Sequence, residues 1–317
     1  MDKIYDIFLL GEDMLPFIKW WFTVFYLGII FMPLSGLLFS RLYDKGYLFS
    51  KTIGIAVTGY LMWMLSALKI MKFNTTSCII TVGIGLIINI IITLCAYFLA
   101  KSRGNNDNTF LKDCLKKENV KIFIAEELMF FLIFLFFTYI RGFKPEAYGT
   151  EKFMDYGFMT TMMRNDYMPP QDFWFSGTSL NYYYVGQFMA TFLTRLSFVK
   201  VSHGYNLMLM MIGAYCFVLS FSLAYNLMTR FNSWGISKSR KMAVLSGIIA
   251  ALAVCVAGNM HYPIYRFILP ALKKIAGSSE QGYYWFPDAT RYIGYNPETN
   301  DKTIHEFPSY SFILGDL

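Results

Sequence analysis

Long apolar runs alternate with short polar, basic or aromatic connectors along the chain. A helix needs about 20 mostly apolar residues to cross a bilayer. Six runs approach or exceed that length: Phe17–Ser40, Ile53–Ile70, Cys78–Ala100, Ile122–Ile140, Asn206–Met228 and Met242–Met260. Trp20 and Trp21 stand at the entry to the first, and Pro33 predicts a kink within it. The fold class this pattern predicts is an all-α polytopic membrane protein with six spans.

A seventh run, Tyr182–Val199, is apolar enough to be a span but carries Arg195. Basic connectors favour the cytoplasm. Lys101, Arg103, Lys112, Lys116, Lys117 and Lys121 assign the connector 101–121 to that side, with Arg41, Lys45 and Lys51 beside it. The acidic start (Asp2, Asp6, Glu12, Asp13) and everything from Arg141 to Lys200 then fall outside. Making Tyr182–Val199 a span would put Arg230, Lys238, Arg240 and Lys241 outside too, and an arginine near the bilayer centre is costly. The expectation is therefore a helix lying at the outer membrane surface.

Composition supports the membrane assignment. Of 317 residues, 56% are hydrophobic and only 15% charged, against about 25% charged in soluble domains. Mean hydropathy is +0.41. The 31 Phe and 23 Tyr suit lipid contact and interfacial belts. The net charge of +7 follows from cytoplasmic connectors, and no nucleic-acid partner is expected. Cys78, Cys95, Cys114, Cys216 and Cys255 form no CxxC pair, which excludes a disulfide framework or zinc site by spacing. Met1–Trp20 lacks a basic n-region, so the first span serves as the insertion signal.

The outer stretch Arg141–Lys200 holds the candidate chemistry. Glu151 and Asp155 share one face of a predicted helix. Asp155 borders the apolar stripe Met154, Phe158 and Met162. Desolvation there would raise its pKa and suit it to act as a general base. The competing reading makes Glu151 a helix cap and Asp155 an ion-pair partner. Pro169–Pro170 ends this helix. Ser179 or Asn181 is then expected to cap a second one. Tyr182, Tyr183 and Tyr184 would spread around that helix, either as an interfacial belt or as a wall for a lipid chain or sugar ring. Arg141, Lys144, Lys152 and Arg164 either bind lipid phosphate or snorkel to headgroups. His203, His261 and His305 show no metal-ligand spacing. A divalent metal is possible only through proximity to Asp155, Glu306 or Asp316.

Several motifs in order, WFTVFYLGIIFMPLSGLLFSRLYDKGYLFSK, GTEKFMDYGFM, PPQDFWFSGTSLNYYYVGQ and HEFPSYSFILGDL, resemble the YYY-type integral membrane proteins, a domain of unknown function named for its triple tyrosine. Members of that family are longer, so the chain is expected to be a shortened copy or fragment. The family is in turn similar to the GT-C membrane glycosyltransferases, such as lipid A aminoarabinose transferases and protein O-mannosyltransferases. The shared layout is a span ending outside, a short helix with an acidic start, a Pro-rich turn, an aromatic juxtamembrane helix and the next span. It implies a GT-C-like helix bundle of three parts: residues 1–121, with three spans and a basic connector; a core over 122–260; and an extracytoplasmic segment over 261–317.

The same resemblance implies sugar transfer from a polyprenyl-phosphate donor at the extracytoplasmic face of the cell membrane. Asp155, or else Glu151, would be the catalytic base. Arg164 and Arg291 would meet the leaving phosphate, and Glu306 and Asp316 would complete the site or hold a metal. Asp172, Asn181 and Tyr182–Tyr184 would line the substrate. The alternatives are a lipid or polymer transporter and a non-catalytic envelope protein. An ion-coupled carrier is disfavoured because the runs are nearly free of charge at their centres, with Glu126 and Glu127 placed to face cytoplasmic headgroups.

Overall fold

A computed structural model describes residues 10–102, 116–149, 151–233, 240–257 and 264–277. Among them are nine α-helices and no strand: α1 Leu10–Leu38, α2 Tyr47–Ala67, α3 Thr75–Ser102, α4 Lys117–Gly142, α5 Lys152–Arg164, α6 Val185–Ser197, α7 Val201–Ser233, α8 Arg240–Cys255 and α9 Leu269–Ile275. A π-helical turn, Ile264–Ile268, leads into α9.

Four helices are long and apolar enough to cross a membrane: α1 over Asp13–Leu38, α2 over Tyr47–Ala67, α3 over Thr75–Leu99 and α7 over Val201–Arg230. They match four of the six expected spans. The other two runs also fall on helices. Ile122–Ile140 lies within the 26 residues of α4, which carries Glu118, Glu126, Glu127 and Arg141. The part of Met242–Met260 up to Cys255 lies within α8, a helix of 16 residues, and residues 258–260 lie outside the described residues.

The chain reverses sharply between α1 and α2. Lys45 and Gly46 both take positive φ, 53° and 71°. A Cβ on Gly46 would lie 2.7 Å from Phe39, so only glycine fits. The helices then pack in one bundle, with α1 against α2 and α3, and α7 against α4 and α8. Trp20, Leu48, Phe134 and Phe188 belong to a single buried cluster. Helices on both sides of residue 121 thus share a common core. At the periphery, α3 exposes Ile87, Ile91, Leu94 and Phe98, a face suited to lipid chains.

Contacts between distant segments sort the helix ends. The start of α1 meets the start of α7 through Asp13 and His203, 3.1 Å apart. The α2–α3 connection meets the loop after α5, where Phe73 N–H donates to the Asp166 carbonyl at 2.6 Å and Lys72 pairs with Asp166 at 2.9 Å. That hydrogen bond from the lysine to Asp166, with the attraction between them, raises the exposed Lys72 pKa. Met168 N–H donates to Ser66 Oγ at 3.1 Å. One end of the bundle therefore carries α5, α6 and the loop between them. The opposite end carries the α1–α2 turn and the start of α4.

The segment Tyr182–Val199 departs from expectation in one respect. As predicted it does not cross, because the 13 residues of α6 rise only about 20 Å, short of a bilayer core of about 30 Å. It does not lie on the surface, however. It is inserted into the mouth of the bundle, touching α1, α2, α3, α5 and α7. Phe188, Phe192 and Leu193 are fully buried. Its polar residues tolerate that burial because Thr191, Thr194 and Ser197 return their hydroxyls to carbonyls one turn back. Arg195 donates to the Met163 carbonyl at 2.9 Å and stacks 4.6 Å from the Phe73 ring. Burial lowers its pKa, but a guanidinium keeps its charge.

Candidate functional site at the loop-bearing end

The stripe predicted for α5 is present. Met154, Phe158, Met159 and Met162 are buried, and Lys152 and Asp155 are buried among them. Asp155 is 3% exposed. Gln187 of α6 donates to its Oδ1 at 2.7 Å, so the inserted helix holds the carboxylate in place. Glu151 stands exposed at the N-cap position of α5 but makes no side-chain cap bond. The capping role considered for it is therefore not realised.

The three tyrosines are not on a helix. They form an irregular approach to α6, whose N-cap is Tyr184 rather than Ser179 or Asn181. Their side chains diverge. Tyr184 is buried and accepts a hydrogen bond from Trp63 Nε1 at 3.0 Å. The Tyr182 and Tyr183 rings stack at 4.0 Å, with their hydroxyls 2.6 Å apart. Tyr182 donates that hydrogen bond to Tyr183, which, with the charges of Glu151 and Asp155 adding to it, pushes the Tyr182 phenol up to about 12. Tyr182 thus lies within electrostatic reach of both candidate acids.

An aromatic layer continues around them. Phe158 meets Phe173 at 5.6 Å, Tyr182 at 5.9 Å and Trp174 at 6.5 Å, and Phe153 meets Trp174 at 6.1 Å. Trp174, Phe175 and Tyr183 are more than half exposed. Asp172 shapes this layer rather than facing it, since its Oδ1 accepts from Trp174 N–H at 2.8 Å and Phe175 N–H at 3.0 Å. Asn181 is exposed at its edge. Arg164 is exposed at the far end of α5 and donates to the Thr160 carbonyl. Nine residues separate it from Asp155, about 14 Å along the axis, so the two cannot act on the same atom. Arg291, Glu306 and Asp316 lie outside the described residues. Among the described residues no group of three His, Cys, Asp or Glu could hold a metal ion.

A cavity of about 860 Å³ lies between α1, α4 and α7. Phe17, Leu132, Leu135, Phe136 and Met210 form its apolar walls, and Arg141, His203 and Asn206, with the carboxylates of Asp13 and Glu146, its polar head. Arg141 Nε donates to Asn206 Oδ1 at 2.8 Å. The neighbouring Tyr205 ring packs 6.0 Å from Tyr156, the residue after Asp155. The cavity head and the carboxylate thus belong to one layer of the bundle.

A family model described as "Uncharacterized membrane protein (DUF2298)" matches residues 57–317. The chain belongs to this family. No curated protein and no solved structure matches it. Membership makes the DUF2298 chain a membrane protein, in agreement with its four candidate spans.

The DUF2298 chain also holds a second polar cluster that sequence reading placed wrongly. Glu126 and Glu127 do not face headgroups; they are 6% and 9% exposed, inside the bundle. Lys51 is fully buried and pairs with Glu127 Oε2 at 2.6 Å. Glu127 also accepts from Tyr47 Oη at 2.8 Å and Trp21 Nε1 at 2.8 Å. Lys51 is therefore a structural ion-pair partner and not a free cytoplasmic charge. Gln187 escaped notice as well. A signal was available: Gln187, Thr191 and Thr194 recur at i, i+4 and i+7 on one face of the helix.

Proposed function

We propose that this chain is a GT-C-like membrane glycosyltransferase that uses a polyprenyl-phosphate-linked sugar at the extracytoplasmic face. The observation that carries the reading is a buried carboxylate, Asp155, fixed by Gln187 at the end of the bundle that also holds the aromatic layer and the head of a lipid-sized cavity. A general base must be positioned before it is tuned, and a side chain locked from a second helix is positioned. Asp155 takes the proton of the acceptor hydroxyl. The acceptor oxygen bonds to the anomeric carbon as the bond from that carbon to the phosphate oxygen breaks, and polyprenyl phosphate leaves. The donor chain lies along the apolar walls of the cavity, with its phosphate toward Arg141, a guanidinium suited to phosphate. The exposed rings of Trp174 and Tyr183 offer a stacking surface for the sugar. The likeness to GT-C enzymes rests on the order of these elements.

Asp155→Asn in the full-length protein is expected to abolish transfer from a polyprenyl-phosphate sugar while membrane insertion stays normal. Unchanged transfer would remove Asp155 from the role of base. The second reading, a lipid transporter, is favoured by the buried ionisable cluster at Lys51 and Glu127, since such groups inside a bundle mark ion and substrate pathways. Lipid movement that survives Asp155→Asn would select it.

The six-span topology completes the proposal, with α4 and α8 crossing and α5–α6 outside. Single cysteines are introduced at Ser176 and at Lys117 after replacing the five native ones. The first is expected to react with an impermeant reagent only from outside, the second only from inside. Labelling of Ser176Cys from the cytoplasm would invert the assignment.

A further inference from the structure

We propose that the segment from Ile264 to Ile275 is an interfacial helix that docks on a bilayer surface containing anionic phospholipid. The π-helical turn Ile264–Ile268 runs directly into α9, Leu269–Ile275. The element has its own start and stop signals. Pro270 stands in the first turn of α9, where a proline is tolerated. At the other end Gly277 takes a φ of 72° and donates its N–H to the Lys274 carbonyl at 3.3 Å, while Ala276 N–H donates to the Leu272 carbonyl at 2.9 Å.

The side chains divide into two faces. Ile264, Ile268, Leu272 and Ile275 recur at i, i+4, i+8 and i+11, the spacing of one helical stripe. Ile268 is 46% exposed, Leu272 56% and Ile275 83%, with Phe267 beside them at 62%. No residue of α9 is buried. Helical spacing sets Lys273 and Lys274 on the opposite half of α9. A contiguous apolar stripe opposed by basic residues is the pattern of a helix that lies in the plane of the interface, its apolar side at the boundary of headgroups and acyl chains.

Two observations select lipid over a protein partner. The charge has one sign: Arg266, Lys273 and Lys274 are the charged residues of the segment, and no Asp or Glu occurs between Lys241 and Glu280. Anionic headgroups complement that charge. The apolar surface is also continuous with that of α8, which packs against the candidate span α7. Leu245, Ile249 and Leu252 of α8 are exposed, as is Val256 just after it, eight positions before Ile264. Docked in this way, the helix holds the chain leaving α8 at the level of the headgroups. The proposal is independent of the reading given for Asp155.

The test is spin-label resonance spectroscopy of the full chain in lipid nanodiscs, with the five native cysteines replaced. Single nitroxides are attached through Leu272→Cys or Lys274→Cys, both at exposed positions. In discs of phosphatidylcholine mixed with phosphatidylglycerol, the label at 272 is expected to collide mainly with oxygen, which concentrates among acyl chains. The label at 274 is expected to collide mainly with a water-soluble nickel chelate. Two labels equally open to the chelate would overturn the proposal. So would a label at 272 shielded from both reagents, because protein would then cover the stripe. Adding Lys273→Gln and Lys274→Gln to Leu272→Cys is expected to lower the ratio of docked to undocked label by about fivefold per lysine, and only in discs that contain phosphatidylglycerol. An equal ratio with and without phosphatidylglycerol would overturn the assignment to anionic lipid.

Discussion

Lys51→Met is expected to destabilise the bundle by about 3–5 kcal/mol, the range for leaving one member of a buried ion pair alone. The side chain is fully buried and its partner nearly so, so solvent cannot take over the role of the missing ammonium. Methionine fills much of the same space, and the loss is therefore one of charge compensation rather than volume. Tyr47 and Trp21 would still donate to Glu127, but neither supplies a positive charge. The site is also sterically built for a long side chain. A Cβ on Gly28 of α1 would lie 2.7 Å from Lys51 Cγ, so the glycine clears the path of the lysine stem. Denaturant or thermal unfolding of the purified protein measures the effect. Adding Glu127→Gln to Lys51→Met is expected to recover a large part of it. A single Lys51→Met as stable as wild type would show that Glu127 is neutral without its lysine.

Gly204→Ala is expected to cost about 1–3 kcal/mol through overpacking. The new methyl would lie 2.1 Å from Thr194 Oγ1 and 3.0 Å from its Cγ2, where α6 crosses α7. Neither helix can yield freely. Thr194 is fully buried with its hydroxyl on the Ala190 carbonyl, and α6 is enclosed by five other helices. Thr194→Ala in the same chain removes both offending atoms and is expected to restore most of the lost stability. The displacement also reaches the candidate site, because Gln187 holds Asp155 from the same helix. A Gly204→Ala chain should therefore lose the sugar transfer proposed above along with stability, and the double variant should regain both.

Much of the architecture was legible from local pattern. Apolar runs of bilayer length gave rise to α1, α2, α3 and α7 because hydrophobicity along a continuous segment is a property of that segment alone. The non-spanning nature of α6 was legible from Arg195 and the basic connector after α7. The burial of Asp155 was legible from its place beside Met154, Phe158 and Met162 on one helical face. The tyrosine triplet was misjudged for a local reason. An apolar aromatic run reads as helix until a cap is found, and the helix here begins only at Val185.

The ion clusters were illegible for a different reason. Lys51 and Glu127 lie 76 positions apart, Gln187 and Asp155 lie 32 apart, and nothing in either neighbourhood names the other. A charged residue near the end of an apolar run reads as a headgroup contact because that is its least costly place in isolation. Only the packing of α1 and α2 against α4 supplies the donors that make burial of Glu127 tolerable. By itself the sequence determined a polytopic helical membrane protein with a carboxylate-bearing loop. The tertiary structure decided that α6 plugs the bundle, that Gln187 fixes Asp155, and that Lys51 and Glu127 pair inside the opposite end. Those outcomes depend on which helix faces meet, and the energy of a buried charge is set by its neighbours in space.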